Sequence, residues 1–251
     1  MTDRPDDRKP LAGRIALLTG ASRGIGRAAA LGLAAAGAHV VATARTRGAL
    51  EELDDEIRKA GGEATLVVLD LADGEKIDQL GPTLFQRFGR LDAAVLNAGM
   101  LGPMSPLGHI RSDDWQKVLD INLTANFRLV RTLDPLLKRS DAGRVVMMTS
   151  GVARNPRAYW GPYSVSKAAL EALALTYAAE CETTSVKVNV VSPGPVRTRM
   201  RAEAFPGEKR ETLTPPEALV PLFLELLSSG CERSGEIVDF RAWRAAASAA
   251  G

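Results

Sequence analysis

Short apolar runs punctuate this chain at Ile15–Leu18, His39–Thr43, Ala64–Leu69, Ala93–Leu96, Arg144–Thr149, Val186–Val191 and Glu236–Phe240. Between them lie longer amphipathic or Ala-rich stretches: Arg27–Ala36, Leu50–Ala60, Ile77–Phe88, Ser112–Lys138, Pro162–Cys181 and Pro216–Leu227. The pattern predicts seven strands alternating with about six helices. Within the runs Val and Leu occupy successive positions rather than every second one, which marks strands buried on both faces. A doubly wound seven-stranded parallel sheet with helices on both faces, α/β in class, is the expected architecture.

A chain of 251 residues with 45% apolar content buries a full core and reads as one domain over residues 11–241, flanked by a flexible N-terminal tail (1–10) and a C-terminal tail (242–251). The first ten residues are charged and contain Pro, unlike the apolar run of a secretory signal. Runs such as Val145–Thr149 fall far short of the ~20 residues that span a bilayer, so a soluble, cytoplasmic protein without a membrane partner is expected. The 32 basic and 30 acidic residues give a net charge of +2 without basic blocks, which argues against a nucleic-acid partner. Cys181 and Cys231 stand far apart, and His39 and His109 are the only histidines, so neither a zinc site nor a disulfide is expected.

The turn after the first strand reads Thr19-Gly20-Ala21-Ser22-Arg23-Gly24-Ile25-Gly26 and opens directly into an Ala-rich helix. Glycines there let backbone amides approach a pyrophosphate, and the helix N-terminus adds a favourable dipole. The spacing differs from Gly-x-Gly-x-x-Gly, and a Gly-rich turn also serves purely structural ends, but the strand before and the helix after favour a Rossmann-type dinucleotide seat. Further on, Tyr163 and Lys167 lie four residues apart, on one face of a predicted helix. An ammonium beside a phenol favours its ionised form, so the spacing predicts a Tyr163 pKa below the usual ~10. Taken alone, the pair also fits an ordinary surface helix.

These segments together resemble the short-chain dehydrogenase/reductase family over about Arg14 to Phe240. The residues that carry the resemblance are Thr19-Gly20-x-x-x-Gly24-x-Gly26, Asp70-Leu71, Asn97-Ala98-Gly99, Asn122, Ser150, Tyr163-x-x-x-Lys167 and Pro193-Gly194-Pro195-Val196-Arg197-Thr198. Ser150 precedes Tyr163 by thirteen positions, as the family pattern requires. One departure is mild: Leu96-Asn97 stands where two asparagines are usual. Within the family the chain is most similar to the YciK-type bacterial oxidoreductases, on Ala98–Gly102, Ser140–Gly143 and Met200–Pro206.

The resemblance implies an oxidoreductase that moves hydride between nicotinamide and the carbonyl or secondary alcohol of a small molecule. Tyr163 would be the general acid/base, Ser150 would support the substrate oxygen, and Lys167 would hold the nicotinamide ribose. Asn122 would hold a relay water through its side chain and a helix distortion. Ser22, Arg23 and Ile25 join the glycines of the turn in the cofactor set, with Asp70 at the adenine amino group and Leu71 beside it. Asn97, Ala98 and Gly99 would face the adenosine ribose, and Pro193, Gly194, Val196 and Thr198 the nicotinamide and diphosphate. No metal is implied.

Cofactor choice rests on charge after the second strand. The sequence there is Ala42-Thr43-Ala44-Arg45 with no carboxylate before Glu51, and Arg23 offers a second guanidinium, a pattern that favours NADP(H) over NAD(H). Arg45 also fits stacking on adenine or facing solvent. Loops at Met100–Leu107, Val152–Trp160 and Arg197–Lys209 should surround the substrate, with Met100, Met104, Tyr159 and Trp160 as apolar walls; Arg154, Arg199 and Arg201 are as readily solvated as substrate-facing. The family also implies a homo-dimer or homo-tetramer paired through the helices at 113–138 and 162–181. An epimerase or dehydratase on the same sheet usually needs a larger C-terminal domain than the about 50 residues after Thr198 provide. A dinucleotide-binding protein without turnover is the non-enzymatic alternative.

Overall fold

In the computed structural model, residues 9–249 are described, and β1 (Ile15–Thr19) and β4 (Ala93–Leu96) form the middle of a seven-stranded sheet. β2 (His39–Ala44) and β3 (Glu63–Val68) extend it on one side, and β5 (Arg144–Met148), β6 (Lys187–Ser192) and β7 (Ile237–Asp239) on the other. The order is β3-β2-β1-β4-β5-β6-β7, and every pairing is parallel. Chain direction across the sheet reverses between β1 and β4, which opens a crevice at the carboxyl ends of those strands. Successive apolar positions have their expected result: all residues of β4 and β5 are buried. The edge strand β3, with Glu63 and Thr65, is the most exposed.

Two cores cover the two faces. Leu33 of α1 (Gly24–Ala35), with Leu50, Leu53 and Ile57 of α2 (Arg47–Lys59), packs with Phe223 of α8 (Val220–Leu227) on one side. Opposite, Ile77 and Leu84 of α3 (Gly74–Phe88) meet Leu129 and Leu133 of α5 (Ala125–Leu137) and Leu170 of α6 (Gly161–Glu180). Helices α3 and α5 approach at Gly81, whose amide donates to Thr132 Oγ1 at 3.1 Å. The doubly wound, single-domain architecture expected from the sequence is the one observed.

Differences concern helices. The stretch Ser112–Lys138 is not one regular helix: α4 (Ser112–Leu119) passes through a π-helical segment at Asp120–Thr124 before α5 begins. A short helix α7 (Arg199–Ala204) occupies the region read as a loop, and the last predicted helix opens as a 3₁₀ turn at Pro216–Leu219. At the C-terminus, α9 (Phe240–Ala249) is helical where a tail was read from residue 242. Asp239 Oδ1 caps it by accepting from the amides of Arg241 and Ala242, and buried Phe240 stacks on Trp243. Residues 1–8 of the N-terminal tail and residues 250–251 lie outside the described residues.

Candidate active site

The switch-point crevice is stitched by Thr19 at the end of β1. Its hydroxyl oxygen accepts from the backbone amides of Asn97 and Ala98, each at 3.0 Å, and Asn97 Nδ2 returns a 3.0 Å bond to the Thr19 carbonyl. The Gly-rich turn between β1 and α1 needs its glycines for stated reasons. Gly20 and Gly24 have φ of +70° and +56°, and a Cβ on Gly26 would fall 2.2 Å from the Gly20 carbonyl oxygen. Arg23 is extended and no side chain caps the amides at the start of α1, so the helix N-terminus presents donors to the crevice. Ser22 and Ile25 are half-buried beside them.

Other predicted cofactor residues converge here. A Cβ on Gly24 would meet the Thr198 methyl at 3.3 Å, so the Pro193–Thr198 loop lies against the turn. Gly194 is left-handed (φ +68°), buried Val196 bridges to Thr214, and Thr198 Oγ1 accepts from the Arg201 amide at 3.2 Å, capping α7. Pro193 at the end of β6 is half-buried. Gly99 adjoins both Asn122 Oδ1 and Lys167 Nζ, its would-be Cβ 3.2 and 3.4 Å away. At the end of β3 Leu71 is buried, and exposed Asp70 accepts from the Ala72 amide. Arg27 pairs with Glu56 and Arg47 with Glu51, whereas exposed Arg23 and Arg45 pair with no acid among the described residues. This cradle, with uncapped amides, space only Gly allows and two uncommitted guanidinium groups, fits a phosphate-bearing dinucleotide.

Tyr163 and Lys167 share the inward face of α6 and are 8% and 3% exposed. Lys167 Nζ donates to the Met148 carbonyl at 2.8 Å, at the end of β5. Asn122, within the π segment, has both Nδ2 hydrogens committed, to the Met100 carbonyl and to Ser166 Oγ, while its Oδ1 accepts from the Met100 amide at 2.8 Å. Its backbone carbonyl accepts from Asn126 Nδ2 at 2.7 Å. Asn122 thus clasps the loop after β4 to helix α6. Ser150 ends the strand-to-turn segment after β5, with its hydroxyl near enough to the Tyr163 phenol to favour the ionised form.

The phenol does not behave as the spacing predicts. Burial pushes Tyr163 up to about 12, with the neighbouring Ser150 hydroxyl pulling the other way, and burial lowers Lys167 to about 8. Lys167 Nζ sits 5.8 Å from the Tyr163 ring centre and spends a hydrogen bond on Met148, so loss of water outweighs its field at the phenol.

That burial comes from an aromatic lid. Trp160 meets Tyr163 edge-on at 5.9 Å and Phe205 at 5.7 Å, and Leu101, Met200 and Ala204 close the cluster. Arg201 lies 3.7 Å over the Phe205 ring and donates two hydrogen bonds to Glu208. Of the expected walls, Trp160 faces the phenol. Tyr159, left-handed at φ +72° and 58% exposed, instead borders a groove with Leu107, Val165 and Ala168 on the outer side of α6. Met104 is also exposed. Phe205 and α7 escaped sequence reading; the available signal was the Thr198 cap before Arg-Met-Arg-Ala-Glu-Ala.

Residues 14–209 match the family model described as short chain dehydrogenase. The uncharacterized oxidoreductase YciK of Escherichia coli (strain K12) is 39% identical over 223 residues, covering 88% of each chain. A short chain dehydrogenase from Shigella flexneri 2a solved with NADP superposes with a TM-score of 0.89 at 38% identity, covering 92% of this chain and 98% of that one. A counterpart from Escherichia coli CFT073 solved with NADPH gives 0.89 at 37% identity, with the same coverage.

Proposed function

The chain belongs to the short-chain dehydrogenases, oxidoreductases of CH–OH and C=O groups that use a nicotinamide dinucleotide, and on that premise we propose that it uses NADP(H) and a small, moderately apolar carbonyl compound or secondary alcohol. Tyr163 is the proton donor and acceptor in this reading. One observation carries it: the uncapped Gly-rich turn, with Thr198 against Gly24, and the buried Tyr163–Lys167 face, with Gly99 against Lys167, gather at the carboxyl ends of the central strands.

When bound, the cofactor supplies or takes up hydride. Tyr163, held protonated by burial in neutral solution, gives its Oη proton to the carbonyl oxygen, and the Ser150 hydroxyl stabilises charge developing there. Asn122 and Ser166 fix the loop after β4 relative to α6, so the proton donor and the cofactor-facing backbone of Asn97, Ala98 and Gly99 keep one register. Lys167 would hold the nicotinamide ribose hydroxyls and Asp70 the adenine amino group beside Leu71, while Pro193, Gly194, Val196 and Thr198 would receive the nicotinamide and diphosphate. Trp160 and Phe205 exclude water from the phenol and favour an apolar substrate.

The choice of NADP(H) rests on Arg23 and Arg45, exposed and without acidic partners among the described residues. The relatives solved with NADP and NADPH support it. Replacing Arg45→Asp is expected to weaken NADPH binding about 10- to 100-fold with little change for NADH; equal changes for both would remove the basis for the preference. Exposed Phe127 on α5 and Val165 and Leu175 on α6 support a homo-dimer or homo-tetramer built on these helices.

A further inference from the structure

Helix α6 buries a carboxylate as well as Tyr163 and Lys167. Glu171 continues their four-residue spacing along the inward face and is 7% exposed. A carboxylate this far from water needs partners. Its Oε1 accepts from Thr149 Oγ1 at 2.8 Å and lies 3.6 Å from Arg154 Nε. Those two residues bracket Ser150 and the 3₁₀ turn Gly151–Ala153, which is closed by Ala153 N to Ser150 O and Asn155 N to Gly151 O, both 3.0 Å. The middle of the turn is tied separately to α6, where Ser164 Oγ donates to the Val152 carbonyl. At the Ser150 end, Lys167 Nζ holds the Met148 carbonyl, and Glu171 is the side-chain tie next to Ser150 itself, joining Thr149 to the helix bearing Tyr163.

We infer that Glu171 is a positioning residue: through Thr149, and secondarily Arg154, it sets the register of Ser150 against Tyr163. This rests on the oxidoreductase reading above, because Ser150 matters only if Tyr163 transfers a proton to a substrate oxygen it supports. The charge on Glu171 is not required for the main tie. A Gln amide oxygen accepts from the Thr149 hydroxyl equally well, whereas Ala removes the acceptor and Thr149→Val removes the donor.

The full chain is assayed with NADPH and benzil as the carbonyl probe, and hydrogen exchange is followed at the backbone amides of residues 150–155. Glu171→Ala and Thr149→Val each lower kcat about 10- to 100-fold, with the Kd for NADPH within about twofold of wild type. Glu171→Gln stays within about threefold of wild type. In a Ser150→Ala background Glu171→Ala costs less than about twofold more, because the residue it positions is gone. Exchange at 150–155 rises about tenfold or more in the Ala and Val variants and not in Gln. Losses that multiply fully with Ser150→Ala, or unchanged exchange in both the Ala and Val variants, overturn the inference. Faster exchange in the Ala and Val variants of a protein whose wild type binds NADPH but reduces no benzil upholds the tie and counts against the apolar carbonyl substrate of the proposed function.

Discussion

With its phenol held near 12 by burial, Tyr163 meets neutral solution as a proton donor. Tyr163→Phe keeps the ring in the Trp160–Phe205 cluster and removes only the proton, so turnover should fall about 10²-fold or more with NADPH affinity unchanged. Full turnover in that variant, measured by NADPH absorbance, would remove Tyr163 from the chemistry. Lys167 gives a second prediction. Below pH about 8 the folded chain holds a buried ammonium, while the unfolded chain keeps it in water up to about 10.5. Between those values the unfolded state binds more protons, so this group's destabilising effect is full below 8 and fades as pH rises through that window. Lys167→Met should therefore be more stable than wild type at pH 7, by about 1–3 kcal/mol, with the difference vanishing near pH 10.5. Urea denaturation across this range checks it; a pH-independent difference contradicts it. The four-residue spacing made the pair legible in the sequence, but not the direction of the phenol's shift. Spacing says which groups share a helix face, whereas the water they lose is set by Leu101, Met200 and Phe205, which are distant in sequence.

Among the elements, the strands were legible because burial on both faces leaves continuous apolar runs, and the Gly-rich turn because Gly26 admits no Cβ. Gly26→Ala should push Gly20 away and weaken NADPH binding at least about tenfold, read by titration calorimetry; wild-type affinity would mean the turn does not hold the phosphates. Gly81→Ala is the matched control away from the crevice. Its Cβ would fall 2.1 Å from the Thr132 carbonyl oxygen, separating α3 and α5 and costing about 1–3 kcal/mol of stability while NADPH affinity holds. The π segment at Asp120–Thr124 was not legible in the hydrophobic pattern, since one widened turn barely shifts a stripe spanning α4 and α5; only the family resemblance, which implied a helix distortion at Asn122, pointed to it. Short α7, with no buried residue, carries no periodic signal at all. The start of α9 is written in Asp239, a cap that is itself the last residue of a three-residue strand and reads equally as a turn.

For the whole molecule, the two ends of the sheet do different work. At the amino ends of the strands, buried Arg14 donates to the carbonyls of Asp92 and Ala142, and Asp92 accepts from Ser140 and the Ile15 amide, locking β1, β4 and the approach to β5. The carboxyl ends are left to glycine turns, the aromatic lid and the arginines. The outer face of α5 and α6 keeps Phe127, Val165 and Leu175 in solvent, and on the oligomer reading Leu175→Arg should shift the assembly toward monomer in sedimentation velocity. An unchanged sedimentation coefficient would place the interface elsewhere. The most direct test of the account is calorimetric titration of cofactor-free protein with NADPH and NADH in parallel, since it needs no knowledge of the substrate. Tight NADPH binding, at least about tenfold stronger than NADH, is the predicted result; binding of neither would contradict the dinucleotide seat on which the proposed function rests.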